Sequence, residues 1–333
     1  MTAVSRVTVD PAGAARRDTA AGPRVVALGG GHGVSAALSA LRLVTDHLTA
    51  VVTVADDGGS SGRLRKEFPG LLPPGDLRMA LAALAGETDD HVWRQLVQHR
   101  FGGDGELAGH AVGNLLISAL SQLYGDPVLA LDTVNALLGG PGRVLPMSTV
   151  PLDIVAEVMG AGADPKEITQ VRGQHAVATT SGRVMGVHLL PDNPPACPQA
   201  VAAIAAAEWV VLGPGSWFTS VLPHLLVPDL AAALATTAAR RVVVLNLAAQ
   251  PGETKGFSPE AHLDVLEAYA SGVRIDVVVA DVSHVPDPHG LMSVARDLGA
   301  EVVLAPVARE DGSPRHDAVR LADVFARFMG GRH

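Results

Sequence analysis

The sequence predicts an α/β fold in which helices cover both faces of a mostly parallel β-sheet. Short, uniformly apolar runs recur along the chain and end in glycine or polar residues, as strands do when both of their faces are buried. Segments with helical spacing of apolar residues lie between these runs. About six such strands with intervening helices form a Rossmann-like three-layer α/β/α sandwich.

The first elements predict a βαβ unit. Residues 24–29 form an apolar run that ends in glycine, residues 34–44 have helical periodicity, and residues 50–55 form a second apolar run. A strand, a glycine turn, a helix and a strand in this order give a right-handed parallel unit.

The middle of the chain is predicted to be helical, followed by a small antiparallel excursion. Alternating residues predict hairpins over 142–159 and 171–190. We therefore expect one domain over residues 23–330, with a hairpin subdomain inserted at about residues 140–192. The helices that precede this subdomain are predicted at residues 77–85, 91–98, 112–123 and 127–138.

Strands and helices alternate again in the C-terminal half. Ser258 is a good N-cap, and Pro259 suits the first position of the helix that follows. The predicted strands are residues 208–212, 241–246, 275–280 and 301–305. The predicted helices are residues 217–226, 230–238, 259–269 and 316–328.

The composition excludes several classes of partner. Asp and Glu number 34 against 25 Lys and Arg, a net charge of −9, so the chain is poorly suited to neutralise nucleic-acid phosphates. Aromatic residues make up only 3%, which disfavours a base-stacking surface. No apolar run is long enough for a transmembrane helix, so we expect no membrane insertion.

The single cysteine and the N-terminus favour a cytoplasmic location. Cys197 alone cannot form an intramolecular disulfide or a cysteine-based zinc site. Residues 1–22 lack the apolar segment of a signal peptide, and we expect them to form a disordered leader.

Glycine-rich and polar segments follow the predicted strands, where ligands of parallel sheets bind. After the first strand come Gly30, Gly31, His32 and Gly33, just before a helix. The N–H groups of a helix N-terminus bind phosphate, which predicts an anion site here. A merely tight turn is the alternative, since the segment lacks the P-loop pattern.

The second predicted strand ends in carboxylates, glycines and hydroxyls. Asp56 and Asp57 could hold Mg²⁺, or could cap the next helix. Three glycines, two serines and an arginine within residues 56–63 favour a ligand site. The further candidates in this segment are Gly59, Ser60, Ser61 and Arg63.

The next candidates precede two helices. Asp76 is expected to be an N-cap, and Arg78 in the first turn opposes the helix dipole, which suggests that an anion binds between them. Asn114 either contacts a ligand or is an internally hydrogen-bonded, buried residue.

A second anion site is predicted after the strand at residues 208–212. Gly213, Pro214 and Gly215 lead into Ser216 and a predicted helix, and the Thr219 hydroxyl adds a donor.

Amide and arginine side chains complete the candidate site. Asn246 and Gln250 follow the next strand and suit a base or sugar edge. Arg315 suits a phosphate, and Asp317 is expected to cap the last helix. Because 22 of the 25 basic residues are arginine and several stand beside glycine turns, we expect a locally positive cleft.

These segments together resemble the gluconeogenesis factor family, whose more distant relatives are the 2-phospho-L-lactate transferases of coenzyme F420 biosynthesis. The block at residues 52–65 is the most specific part of the resemblance. The resemblance extends over about residues 24–328. The other matching segments are residues 29–33, 74–78, 110–114, 213–220 and 250–254.

The resemblance implies a Rossmann-like, cytoplasmic protein that binds UDP-sugars such as UDP-N-acetylglucosamine. It also implies a role in cell shape and wall synthesis during gluconeogenic growth, without a firmly attached enzymatic activity. Arg315 matches an arginine of the family's nucleotide-sugar site. The chain departs from the pattern at His32, where Thr is common, and at Ala318, where some members carry a phosphorylatable Thr.

The leading hypothesis is a regulator that binds UDP-N-acetylglucosamine or UDP-glucose and needs no cofactor, because no nucleophile or catalytic pair is evident. Residues 30–33 and 213–216 would hold the diphosphate, supported by Arg315. We expect a homo-oligomer and partners among cell-wall or shape proteins. The alternative is a Mg²⁺-dependent transferase that uses a diphosphate-linked donor, with Asp56 or Asp57 at the metal. An NAD-dependent oxidoreductase is disfavoured, since no ribose-binding acid is evident.

Overall fold

The computed structural model describes residues 22–85, 91–162, 164–250, 252–270 and 272–330. The predicted leader at residues 1–22 lies outside this part of the chain, apart from Gly22. The strands are β1 Val25–Gly29, β2 Leu48–Val52, β3 Arg143–Pro146, β4 Asp153–Met159, β5 Ile168–Arg172, β6 Arg183–Leu190, β7 Trp209–Leu212, β8 Arg240–Val244, β9 Val277–Asp281 and β10 Glu301–Ala305. The helices are α1 Gly31–Leu41, α2 Gly59–Glu67, α3 Pro74–Leu84, α4 His91–Gln98, α5 Val112–Tyr124, α6 Pro127–Leu138, α7 Gln174–Ala178, α8 Pro198–Ala206, α9 Pro228–Thr236, α10 Pro259–Tyr269, α11 Pro288–Asp297 and α12 Ala318–Met329.

The centre of the molecule is a seven-stranded parallel sheet with the order β10-β9-β8-β7-β1-β2-β3. The predicted α/β class and mostly parallel sheet are confirmed. Every residue of β1 and β7 is buried, because helices cover both faces of the sheet. The chain runs outward from β1 to β2 and later returns to β7 on the other side of β1. Ligands of open parallel sheets bind in the crevice at such a reversal.

The sheet has seven strands rather than about six because one predicted hairpin strand belongs to it. Arg143–Pro146, which we expected in a hairpin, pairs in parallel with β2 and places Arg143 opposite Thr49. The antiparallel excursion is a separate three-stranded sheet of order β5-β4-β6. A four-residue edge strand carries too short a pattern to reveal its partner.

The predicted helix at residues 217–226 is wrong in type. Trp217–Val221 forms a π-helical turn and Leu222–Leu226 a 3-10 turn. Pro223 cannot donate a backbone hydrogen bond, and side chains from a distant loop take N–H groups at the start of the segment. By contrast, Asp317 caps α12 as expected, since its Oδ1 accepts from the N–H groups of Val319 and Arg320.

Within the described ranges, no single helix is both long and apolar enough to cross a membrane. One bent pair, Trp217–Leu226 with Pro228–Thr236, meets at 79° and passes the same test by length and composition only.

Candidate functional site

Two cavities flank the loop between β1 and α1. The first, here called the arginine cleft, has a volume of about 460 Å³ and lies at the carboxyl ends of β1, β7 and β8. The second, here called the carboxylate cavity, has a volume of about 210 Å³ and lies between the loop after β2 and the helices α2, α3 and α5. The predicted residues that line the arginine cleft are His32, Gly33, Pro214, Gly215, Asn246, Gln250 and Arg315. Those that line the carboxylate cavity are Asp56, Gly59, Ser60, Ser61, Asp76, Arg78 and Asn114.

The arginine cleft is positively charged although the chain as a whole is acidic. Arg309 and Arg315 line it, and none of its described lining residues is Asp or Glu. The Arg309 N–H donates to the Arg315 carbonyl oxygen over 3.0 Å, so one folded-back loop carries both side chains. Sequence reasoning missed Arg309, although Asp311 and Gly312 between the two arginines are a turn signal.

His316, which was not predicted to be a site residue, forms part of the cleft wall and is neutral at physiological pH. Burial lowers its pKa from 6.5 to about 4, and a hydrogen bond with the Leu245 backbone offsets this only in part. Its Nε2 is buried without a hydrogen-bond partner among the described residues. The two positions that depart from the family pattern, His32 and Ala318, also line the cleft.

The glycines after β1 serve close contacts inside the protein. A Cβ on Gly33 would lie 2.1 Å from the Pro214 carbonyl oxygen, and a Cβ on Gly30 would lie 2.6 Å from Asp76 Oδ2. Gly31 has a φ of +56°, which favours glycine. The tight-turn interpretation therefore accounts for these glycines. The first turn of α1 contains no acid, but Asp76 of α3 accepts from the Gly31 backbone. The first hydrogen bond inside the helix runs from the Val34 N–H to the Gly30 carbonyl oxygen, so the N–H groups of His32 and Gly33 remain for an anion.

The predicted anion site at residues 213–220 already contains an anionic side chain. The Glu253 carboxylate accepts hydrogen bonds from the N–H groups of Phe218 and Thr219, at 2.8 and 3.3 Å, and from the Thr219 hydroxyl at 2.6 Å. Glu253 is only 3% exposed, and burial raises its pKa. The Thr219 hydroxyl therefore has an internal acceptor, and Thr219 lines neither cavity. Sequence reasoning missed Glu253 because its partners lie about 35 residues away.

The two amides expected to contact a base or sugar line the cleft and also hold the loop that borders it. Asn246 Oδ1 accepts from the Gly215 N–H at 2.9 Å, and its Nδ2 donates to the Gly215 carbonyl oxygen at 2.8 Å. Gln250 Oε1 accepts from the Trp217 N–H, and its Nε2 donates to Ser216 Oγ. Gly213 lies inside this loop, and neither it nor Ser216 lines either cavity.

The carboxylate cavity contains two acidic side chains, Asp56 and Asp76. Asp76 is not the predicted N-cap, because α3 begins at Pro74 and places Asp76 in its first turn. Burial, and then the charge of Asp56, raise the pKa of Asp76 from 3.8 to about 7. Its Oδ2 is buried without a hydrogen-bond partner among the described residues. A Cβ on Gly75 would lie 2.3 Å from Asp56 Oδ2, so Asp56 packs against the first turn of α3.

Two predicted residues of the same segment lie outside both cavities. Asp57 Oδ1 accepts from the His175 N–H at 2.9 Å and so ties the end of β2 to α7. Arg63 donates to the carbonyl oxygens of Glu106 and Ala108, at 3.1 and 2.8 Å. Of the two adjacent carboxylates, Asp56 lines the cavity and Asp57 does not.

The other wall of the carboxylate cavity is a buried polar network. Arg78 Nε donates to Asn114 Oδ1 at 2.8 Å, and Asn114 Nδ2 donates to Ser60 Oγ at 3.0 Å. Ser60 Oγ also contacts His110 Nδ1 at 2.9 Å. Asn114 is 1% exposed and internally hydrogen-bonded, as one of its two interpretations predicted.

Comparison with known proteins identifies the family. The family model of 2-phospho-L-lactate transferase CofD matches residues 25–306. A protein named "Putative gluconeogenesis factor" from Mycobacterium tuberculosis is 57% identical over 305 residues, which cover 90% of this chain and 89% of that protein. The "Gluconeogenesis factor" of Listeria monocytogenes is 36% identical over 318 residues, which cover 92% and 96% of the two chains.

A solved structure agrees with this relationship. The crystal structure of a UPF0052 family member from Bacillus halodurans has a TM-score of 0.81 and 32% sequence identity to this chain, and the match covers 91% of this chain and 98% of that one. The chain therefore belongs to the gluconeogenesis factor family, which is related to the 2-phospho-L-lactate transferase CofD.

Proposed function

We propose that the chain is a cytoplasmic regulatory protein that binds a UDP-sugar, UDP-N-acetylglucosamine or UDP-glucose, in the arginine cleft. Through this ligand it would adjust cell shape and peptidoglycan synthesis during growth on gluconeogenic carbon sources. Two things support the proposal: the family to which the chain belongs, and the chemistry of the cleft.

One observation carries the proposal: a cleft with two arginines and no lining carboxylate, at the strand-order reversal of an acidic protein. A diphosphate needs this combination of charge and position, since arginine forks pair with phosphate oxygens and a helix N-terminus supplies N–H donors. The cleft volume of about 460 Å³ falls within the usual range of small-molecule sites.

The proposal gives the cleft residues distinct parts. The diphosphate would lie between the N-terminus of α1, at His32 and Gly33, and the side chains of Arg309 and Arg315. Asn246 holds the loop at Gly215 in place, so the cleft wall is formed before ligand binds. A wall that is already ordered lowers the entropic cost of binding.

Isothermal titration calorimetry with UDP-N-acetylglucosamine and UDP-glucose tests the proposal. We expect a dissociation constant of about 1–100 μM for one of them. The Arg315→Ala variant should bind about tenfold or more weakly, because a charge-assisted hydrogen bond to phosphate is lost. Arg327→Ala, on the exposed side of α12, is the matched control and should bind like the wild type. Affinity no better than millimolar for every nucleotide sugar, unchanged by Arg315→Ala, would overturn the proposal.

A second candidate function is a Mg²⁺-dependent transferase, which the unpartnered Asp76 Oδ2 favours. We propose that Asp56 and Asp76, rather than Asp57, would hold the metal. Mg²⁺ is commonly bound by one or two carboxylates with water and substrate phosphates, and these two acids fit that donor set. When bound, the ion would neutralise charge on a diphosphate-linked donor.

Magnesium titration separates the two functions. If the transferase interpretation is correct, Mg²⁺ tightens nucleotide-sugar binding, Asp76→Asn abolishes this effect, and a donor is cleaved when candidate acceptors are added. The transferase function is excluded if Mg²⁺ does not change nucleotide-sugar binding in the wild type or in Asp76→Asn, and if phosphorus NMR detects no cleavage of the donor. Only the regulatory function would then remain.

A further inference from the structure

Arg78 is a buried arginine whose charge is not balanced by an ion pair. The side chain lines the carboxylate cavity, and the residue is 4% exposed. Burial, and then the charge of Arg100, lower its pKa to about 10. Burying a guanidinium is costly unless its N–H groups are paired, so a chain keeps such a group where something binds it.

The terminal nitrogens of Arg78 are available to a ligand. Within the described part of the chain, its hydrogen bonding is limited to Nε, which donates to Asn114 Oδ1. No carboxylate of the described residues forms an ion pair with it, although Asp56 and Asp76 line the same cavity. The bond to Asn114 fixes the plane of the guanidinium, which directs its remaining donors as a rigid fork.

Further donors converge on the same cavity. The first hydrogen bond inside α2 runs from the Gly62 N–H to the Gly58 carbonyl oxygen, which leaves the N–H groups of Gly59, Ser60 and Ser61 without an acceptor in the helix. No acid occupies the first turn of α2; Asp56 Oδ1 accepts from the Gly58 N–H at 2.9 Å, one residue before the helix. Ser61 Oγ accepts from the Gly75 N–H at 3.0 Å, so its own proton remains to be donated.

Arg100 adds a second positive charge. It lines the cavity from the loop after α4, and its guanidinium is held by a 2.8 Å hydrogen bond to the Gly109 carbonyl oxygen. Like-charged side chains that share one small cavity repel each other, which the lowered pKa of Arg78 reflects. An anion between them would relieve this repulsion.

We propose that the carboxylate cavity is a second ligand site, in which Arg78, Arg100, Ser61 and the N-terminus of α2 bind the phosphoryl group of a small molecule. A tetrahedral oxyanion matches these donors, because the guanidinium of Arg78, the hydroxyl of Ser61 and the N–H groups of α2 approach it from different directions. The volume of about 210 Å³ accommodates a phosphate ester of only a few carbons. This site goes beyond the proposed nucleotide-sugar function and does not depend on it.

The two acids of the carboxylate cavity, Asp56 and Asp76, restrict the part of the ligand that lies away from the phosphoryl group. Asp56 and Asp76 would repel a second anionic group and accept hydrogen bonds from hydroxyls. The ligand class is therefore a small hydroxylated phosphate monoester, with its phosphoryl group toward Arg78 and its hydroxyls toward the two acids.

Calorimetric titration of the full chain with glycerol 3-phosphate, inorganic phosphate and uncharged glycerol, at constant ionic strength, tests this site. We expect saturable binding of glycerol 3-phosphate, weaker binding of inorganic phosphate and none of glycerol. Arg78→Met should weaken binding about tenfold or more, and Arg100→Gln about threefold to tenfold. Arg94→Gln, on the exposed surface of α4, is the matched control and should bind as the wild type does.

If Arg78→Met does not fold by circular dichroism, Arg100→Gln decides the result, since Arg100 is exposed. Ser61→Ala is a second test only if it folds, because it also removes the acceptor of the Gly75 N–H. The proposal is overturned if no phosphate probe saturates, or if binding is unchanged in these variants. Binding that depends on Arg315 and not on Arg78 would equally overturn it, because the phosphate would then occupy the arginine cleft.

Discussion

The arginine cleft and the carboxylate cavity lie on opposite sides of the same glycine loop, yet they hold charge in opposite ways. The cleft carries its arginines on the loop that joins β10 to α12, and none of the described residues that line it is an acid, although Arg309 Nη1 lies 4.0 Å from Asp311 Oδ2 on the same loop. The cavity holds the partly buried Asp56 beside the buried side chains of Asp76 and Arg78, and burial shifts the pKa values of Asp76 and Arg78. The excess positive charge of the cleft suits a ligand with several negative charges. The mixed charges of the cavity suit a smaller ligand or ion that pairs with the groups still without a partner.

A third region shows what a completed anion site looks like. The N–H groups at the start of the π-helical turn receive the Glu253 carboxylate, so this potential phosphate site is satisfied within the chain. At the N-termini of α1 and α2 a carboxylate reaches one residue only: Asp76 accepts from the Gly31 backbone, and Asp56 Oδ1 accepts from the Gly58 N–H at 2.9 Å. The π-helical turn is therefore satisfied within the chain, and the other two helix starts are satisfied in part.

The largest expected effect on stability comes from Asp76, the buried acid of the carboxylate cavity. Asp76 has a pKa of about 7 when folded and near 3.8 when unfolded, so the folded state binds more protons between these values. Stability is therefore lost as pH rises through 7, by up to about 4 kcal/mol. In EDTA at pH 8, we expect Asp76→Asn to raise the free energy of unfolding by a few kcal/mol, measured by urea denaturation.

The same variant at low pH is its own control. Near pH 4.5 the folded wild type already holds the proton, so most of the gain should disappear. An equal gain at both pH values would show that the charge of Asp76 is not the source of the cost.

The contribution of the cleft residue His316 to stability should change with pH in the opposite direction. His316 has a folded pKa of about 4, below its unfolded value near 6.5, so the unfolded state binds more protons between these values. Stability contributed by this group is complete above pH 6.5 and falls by up to about 3 kcal/mol as pH decreases to 4. Asp281 favours the charged form and His284 opposes it, but both act less strongly than burial.

Replacement of the histidine measures this slope. His316→Gln should reduce the loss of stability between pH 6.5 and 4.5 relative to the wild type, measured by urea denaturation at each pH. An identical pH profile in the two proteins would contradict the neutral, buried state of His316.

The stability of the π-helical turn should depend on the Glu253 carboxylate. Glu253→Ala leaves the N–H groups of Phe218 and Thr219 and the Thr219 hydroxyl buried without an acceptor, which should cost about 2–3 kcal/mol of stability. Glu253→Gln keeps an acceptor oxygen and should cost less. Thermal denaturation of the two variants decides the point, and equal losses would mean that hydrogen bonding to the carboxylate is not what orders the turn.

The sequence was sufficient for those features that arise locally. Strands such as β7, predicted at residues 208–212 and observed at Trp209–Leu212, follow from apolar runs that are buried on both faces. The position of the site follows from polar residues at strand ends, because parallel strands end at the same edge of the sheet.

Features that depend on distant partners could not be predicted. Asp56 and Asp57 are identical neighbours, but one lines a cavity and the other binds the His175 N–H, 118 residues away. In the same way, the amides at Asn246 and Gln250 look like ligand donors until the loop at Gly215 is seen to occupy them. The residue types indicate chemistry, but only the packing of remote segments decides whether its partner is the protein or a ligand.

The smallest expected effect concerns the arginine that sequence reasoning missed. Arg309 is about half exposed, so its contribution to nucleotide-sugar affinity is screened, and Arg309→Gln should weaken UDP-sugar binding about threefold to tenfold at low salt. The loss should shrink when the ionic strength is raised, because a screened charge then contributes little even in the wild type. Calorimetry at two salt concentrations measures this. A loss that does not change with salt would mean that the Arg309 side chain contributes through packing in the loop rather than through its charge, because the backbone hydrogen bond to Arg315 is kept in the variant.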